Sequence, residues 1–141
     1  TTDNHQVFTY LGTIVSQTGA NRRTSSGIGW GMSPTTTDAQ STNPLRLIVA
    51  RIACVANTLV TASIYVNRTN TALTGVFILK GGQIAGAASD VTATTAALAA
   101  TWEQLTITFT PTEIGVVELE MQAYGGTTNS IYLDDMTISQ A

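Results

Sequence analysis

Residues 101–139, TWEQLTITFTPTEIGVVELEMQAYGGTTNSIYLDDMTIS, alternate apolar and polar side chains with a period of two. Leu105, Ile107 and Phe109 interleave with Gln104, Thr106 and Thr108. Val117, Leu119, Met121 and Ala123 interleave with Glu118, Glu120, Gln122 and Tyr124. That period puts one set of side chains on a buried face and the other on a wet face of a strand, which a helix cannot do. Pro111 has no N–H to give to a ladder and ends the first run. Gly125-Gly126 can take positive φ and ends the second. Residues 131–138 close the chain as a last strand. The stretch therefore predicts three strands joined by two turns.

The rest of the chain extends the pattern. Residues 6–15 form a plausible first strand. Around Trp30, Ile28 and Met32 alternate with Gly27, Gly29 and Gly31, giving one bulky face and one bare face that lets a backbone or a ligand approach. Residues 32–43 read as a long polar loop and a candidate contact loop. Residues 45–55 are apolar on both parities, as expected of a strand buried on both sides, covered by a loop or by another subunit. This is the sequence's hint of a homo-oligomer. Residues 58–67 alternate cleanly, with Val60, Ala62, Ile64 and Val66 inward. Residues 73–79 form another strand, ended by Lys80-Gly81-Gly82. A short strand over 83–91 follows, then small residues over 93–100.

Eight or nine short strands with regular turn signals predict an all-β fold. The expected architecture is a two-sheet antiparallel β-sandwich, a jelly roll, over residues 1–141 as a single domain. Charged residues are 11% of the chain, well below the usual quarter or so, and Thr, Ser, Asn and Gln carry the polar surface. Such a surface suits a protein outside the cell or in a dense assembly. With six basic residues and a net charge of −3, no positive stripe exists to follow a phosphate backbone, which argues against nucleic acid. The apolar run 47–56 is interrupted by Arg51 and too short to span a bilayer, which argues against a membrane role. Cys54 stands alone in an apolar run and reads as a buried, inert thiol.

Nor does the sequence offer a catalytic constellation. His5 is the only histidine, and no GxSxG, HExxH or phosphate-loop pattern occurs. Alternation sends the adjacent Asp134 and Asp135 to opposite faces. Glu118 and Glu120 share a face and read as a solvated edge. The expectation is a protein that is not an enzyme.

Trp102, then Leu105-x-Ile107-x-Phe109, then a glycine-bounded strand, then Tyr132-Leu133-Asp134-Asp135-Met136-x-Ile138 resembles the end of a carbohydrate-binding-module jelly roll. The resemblance runs from about Leu47 onward. The same kind of domain also resembles accessory domains of phage virion proteins. It implies a structural calcium held by an Asp of the last strand with a first-strand group: Asp134 or Asp135, with Asp3 or Asn4 as partner. It also implies glycan contact through aromatic rings beside amides. Of Trp30, Tyr65, Trp102 and Tyr124, strand phase turns Trp102 and Tyr124 outward with Gln104 and Gln122, as a shelf on adjacent strands. Two functions follow as expectations. One is a structural and interaction module of a virion, such as a capsid decoration protein or a fibre or appendage domain, working through other protein subunits. The alternative is a carbohydrate-binding module of a secreted glycan-active protein. Both place the protein in a virion or outside the cell.

Overall fold

A computed structural model describes residues 11–17, 23, 29–36, 38–83, 89–127 and 129–141. Nine strands and no helix occur among them: β1 (Gly12–Gln17), β2 (Gly29–Pro34), β3 (Leu45–Cys54), β4 (Val60–Arg68), β5 (Thr74–Leu79), β6 (Val91–Thr94), β7 (Trp102–Phe109), β8 (Gly115–Tyr124) and β9 (Ile131–Gln140). They form two antiparallel sheets, a five-stranded one ordered β1-β2-β9-β4-β7 and a four-stranded one ordered β3-β8-β5-β6. The result is the expected β-sandwich. The sequence places a strand over 83–91, but the ladder is at Val91–Thr94, where β6 pairs with β5; residues 84–88 lie outside the described part. The first described strand begins at Gly12, preceded by the buried Leu11, and residues 6–10 of the expected strand are likewise outside.

The alternating runs do what their period dictates. Val60, Ala62, Ile64 and Val66 of β4 point into the sandwich with Leu105, Ile107 and Phe109 of β7. From the other sheet, Val117, Leu119, Met121 and Ala123 of β8 meet Phe77 and Leu79 of β5. Each of the larger side chains among them stabilises the fold by about 1.5–3 kcal/mol through burial, and the two alanines by less. Gly125, at φ 110°, ends β8 where a side chain would strike the Ala72 carbonyl.

The doubly apolar run is resolved by a bulge. The register of β3 on β8 shifts between Ile48 and Ala50. Before the shift Leu45 and Leu47 are buried; after it Ile52 and Cys54 are. One extra residue moves the inward set from odd to even numbers. So β3 has one buried face, not two: Ile48 is 46% exposed. The sequence's argument for a covering subunit falls with this correction. Cys54 is buried as expected, and burial pushes its thiol pKa up.

The end of β4 carries a buried cation the sequence did not reveal. Arg68 is 7% exposed, and no carboxylate among the described residues pairs with it. Its guanidinium donates to the Ala97 carbonyl at 2.7 and 3.2 Å, to Leu73 at 3.0 Å and to Thr71 at 3.3 Å. Planar donors on a rigid fork suit three carbonyls from two loops. Glu103 accepts the N–H groups of Ala96 and Ala97 from the same loop. Truncation would leave those carbonyls without donors. Arg68→Ala is expected to lower unfolding stability by about 2–4 kcal/mol, read as a shifted urea midpoint. An unchanged midpoint would mean the loops hold themselves.

Candidate functional site

Residues that alternate with the core set of the five-stranded sheet face outward. Register aligns them in rows across the strands. Asn67 of β4 lies directly between Trp102 of β7 and Tyr132 of β9, and Tyr132 lies opposite Gly31 of β2. In the next row, Tyr65 lies between Gln104 and Asp134. Then come Ser63 between Thr106 and Thr137, and Thr61 between Thr108 and Ser139. Half of the face is aromatic and amide-bearing; the other half is hydroxyl-bearing, with Ser63 and Thr106 bonded at 2.8 Å.

Direct cross-strand partners have Cβ atoms about 4.5–5.5 Å apart, so the two rings flank the Asn67 side chain. Trp102 and Tyr132 are separated by two strand spacings, about 9–10 Å. Both are half-buried. The Asn67 Oδ1 atom is buried and has no hydrogen-bond partner. An unsatisfied buried acceptor costs about 1–3 kcal/mol. No fold requirement is visible for it. Chemically, the row is two rings with a carboxamide between them.

Beside this row the last strand is irregular. Tyr65 pairs with Asp134 and Ser63 with Thr137, so two residues of β9 oppose Ile64. Asp135 takes φ 49° there. This corrects the expectation that alternation separates the two aspartates. Both meet Arg23: its backbone N–H donates to Asp134 Oδ2 at 2.8 Å, and its guanidinium donates to Asp135 Oδ2 at 2.6 Å. Asp134 Oδ1 also accepts the Asp135 N–H. Arg23 lies over the Tyr65 ring, 3.6 Å from its centroid. A hollow of about 400 Å³ opens between the two sheets beside this bulge, lined by Trp30, the core residues Leu47, Ile64 and Leu133, Ile48, Val49, Met136 and the two aspartates.

Both carboxylates accept hydrogen bonds from Arg23. No cluster of three metal-binding side chains occurs among the described residues, and Asp3 lies outside them. Trp102, Gln104, Tyr124 and Gln122 do not form one shelf. β7 and β8 are in different sheets, so Trp102 and Gln104 face one side of the sandwich while Tyr124 and Gln122 face the other. On that second face Gln122 is 7% exposed and donates to Glu120 Oε2 at 2.8 Å. Glu120, 8% exposed, stands 3.9 Å from Arg46 Nε, and Glu118 pairs with Arg51 at 2.7 Å. The two glutamates are therefore paired on an inner strand and not a solvated edge. Sequence reasoning missed Asn67, Tyr132 and Arg23. Their significance depends on which strands adjoin β4, and no local pattern carries that.

No protein-family profile and no curated protein matches this chain. Solved structures do. A family 4 carbohydrate-binding module aligns with a TM-score of 0.57 at 21% identity, covering 80% of this chain and 71% of that one. The tailspike protein 4 enzymatically active domain of bacteriophage CBA120 aligns with a TM-score of 0.66 at 9% identity, covering 92% of this chain but 18% of that one. A Clostridium thermocellum xylanase 10B piece with its CBM22-1 and GH10 modules aligns at 0.57 and 15% identity, covering 91% of this chain and 24% of that one. These likenesses establish the fold: a jelly roll like those of carbohydrate-binding modules and of part of a phage tailspike.

Two outcomes test the site's construction. Asn67→Leu removes an unsatisfied acceptor at nearly constant shape, so the urea midpoint should hold or rise; a loss above about 1 kcal/mol would make the amide structural. Because Arg23 occupies the aspartates, a chelator should leave the thermal midpoint unchanged. A fall on chelation would place a metal in the fold.

Proposed function

We propose that this chain is a non-catalytic glycan-binding module whose platform is the outer face of the five-stranded sheet. Trp102 and Tyr132 offer ring faces for the apolar faces of sugar rings. The Asn67 carboxamide lies between them, and Gln104 and the hydroxyl rows lie alongside to bond sugar hydroxyls. The observation that carries this reading is the alignment of two half-buried rings, Trp102 and Tyr132, on either side of Asn67 in one row across β7, β4 and β9. Binding sites combine apolar surface with a few placed polar groups. The likeness to carbohydrate-binding modules supports the same reading.

A second reading is favoured by one comparison: the phage tailspike domain matches nearly the whole chain. The module would then belong to a virion appendage, acting through contacts with other subunits while presenting the same face to a surface glycan. The two readings are compatible, and both place the protein outside the cell or in a virion.

Titration calorimetry against a polysaccharide panel tests the first. Trp102→Ala, Tyr132→Ala and Asn67→Ala should each lower affinity at least about tenfold, the loss of roughly one good contact. Tyr124→Ala and Gln122→Ala should leave it unchanged. No binding by the wild type, or loss through Tyr124 alone, would contradict the platform. Light scattering tests the second: a stable oligomer supports assembly, and a monomer at high concentration opposes it.

A further inference from the structure

One aromatic of the proposed face is covered. Tyr65 lies two residues along β4 from Asn67, so its ring belongs to the same outer face, one row away. The Arg23 guanidinium lies 3.6 Å above that ring and is held by Asp135 at 2.6 Å, while the Arg23 backbone is held by Asp134 at 2.8 Å. Two hydrogen bonds thus tie residue 23 to a strand more than a hundred positions away, and a ring contact ties it to β4. The clamp depends on the β9 bulge. In an unbroken strand, alternation would turn Asp135 away from the face that Asp134 occupies.

Arg23 does not behave as part of the core. Its side chain is 36% exposed, and cation–π contacts and ion pairs at such sites are individually weak. A ring kept on a binding face beneath a weakly held cation is a stacking surface that the free protein keeps shut.

Resting on the glycan-binding reading above, we propose that Arg23 is a specificity-determining lid. It covers Tyr65, confines a bound glycan to the row Trp102–Asn67–Tyr132, and so sets how long a glycan the face engages. A longer glycan gains the third ring only by displacing the guanidinium. The cost of opening appears directly in the apparent affinity, because binding is weakened by the fraction of protein in the competent state.

The test is calorimetry with a length series of oligosaccharides from whichever polysaccharide the wild type binds. Arg23→Ala should bind the longest oligomers about five- to tenfold more tightly than the wild type, and the shortest equally well. Adding Tyr65→Ala should abolish the gain. Asp135→Asn, which loosens the clamp without shortening Arg23, should move affinity the same way by less. Weaker binding by Arg23→Ala, or an unchanged length dependence, would overturn the lid while leaving the platform standing. A wild type that binds no glycan would take down both. The lid has a ligand-free readout too. In the wild type the Arg23 side-chain N–H signal should be shifted upfield by the Tyr65 ring and return to its ordinary position in Tyr65→Leu. An unshifted signal in the wild type would show that the ring is open and overturn the lid.

Discussion

The register of β4 between β7 and β9 is the constraint on which the rest of the structure depends. It feeds Val60, Ala62, Ile64 and Val66 into the core and, by the same alternation, lifts Thr61, Ser63, Tyr65 and Asn67 to the outer face. A slip of one residue would exchange the two sets and lose both the core and the platform together. Arg68 fixes the end of this strand by gathering the Thr71, Leu73 and Ala97 carbonyls. The rows that place Asn67 beside Trp102 and Tyr132 follow from pairing alone. The sandwich therefore needs no separate device to assemble its site.

Two irregularities decide what the faces look like. The bulge in β3 brings Leu45, Leu47, Ile52 and Cys54 onto one side, although they fall on two parities. The bulge in β9 brings Asp134 and Asp135 to one arginine, although they are neighbours. Asp135 holds a left-handed conformation there, and Asn67 keeps an unsatisfied oxygen. Both features cost stability, and Asp135 directly follows Asp134, whose row adjoins that of Asn67. Departures from local rules that cluster in this way mark a place where something other than packing sets the sequence.

Much of the fold was legible in the sequence. The strands β4, β7, β8 and β9 and their inward residues follow from period-two alternation, and the turn at Gly125 from its backbone freedom. Bulges were not legible, because one inserted residue makes a one-faced strand read as two-faced. Sheet membership was not legible either. β7 and β8 are consecutive and similarly patterned, yet they stand in opposite sheets, so Trp102 and Tyr124 face away from each other. Of the expected site, Trp102 and Gln104 remain on the proposed platform. Asn67 and Tyr132 join them only once non-local pairing is known.

The most direct test of the central claim is an amide and side-chain NMR titration with a bound oligosaccharide. The account predicts that perturbations concentrate at the Trp102 indole N–H, the Asn67 side-chain amide, Tyr132 and Gln104. It predicts a quiet opposite face, at Arg46, Glu120, Gln122 and Tyr124. Perturbations centred on that opposite face, or an unmoved Asn67 amide in a saturated complex, would contradict it.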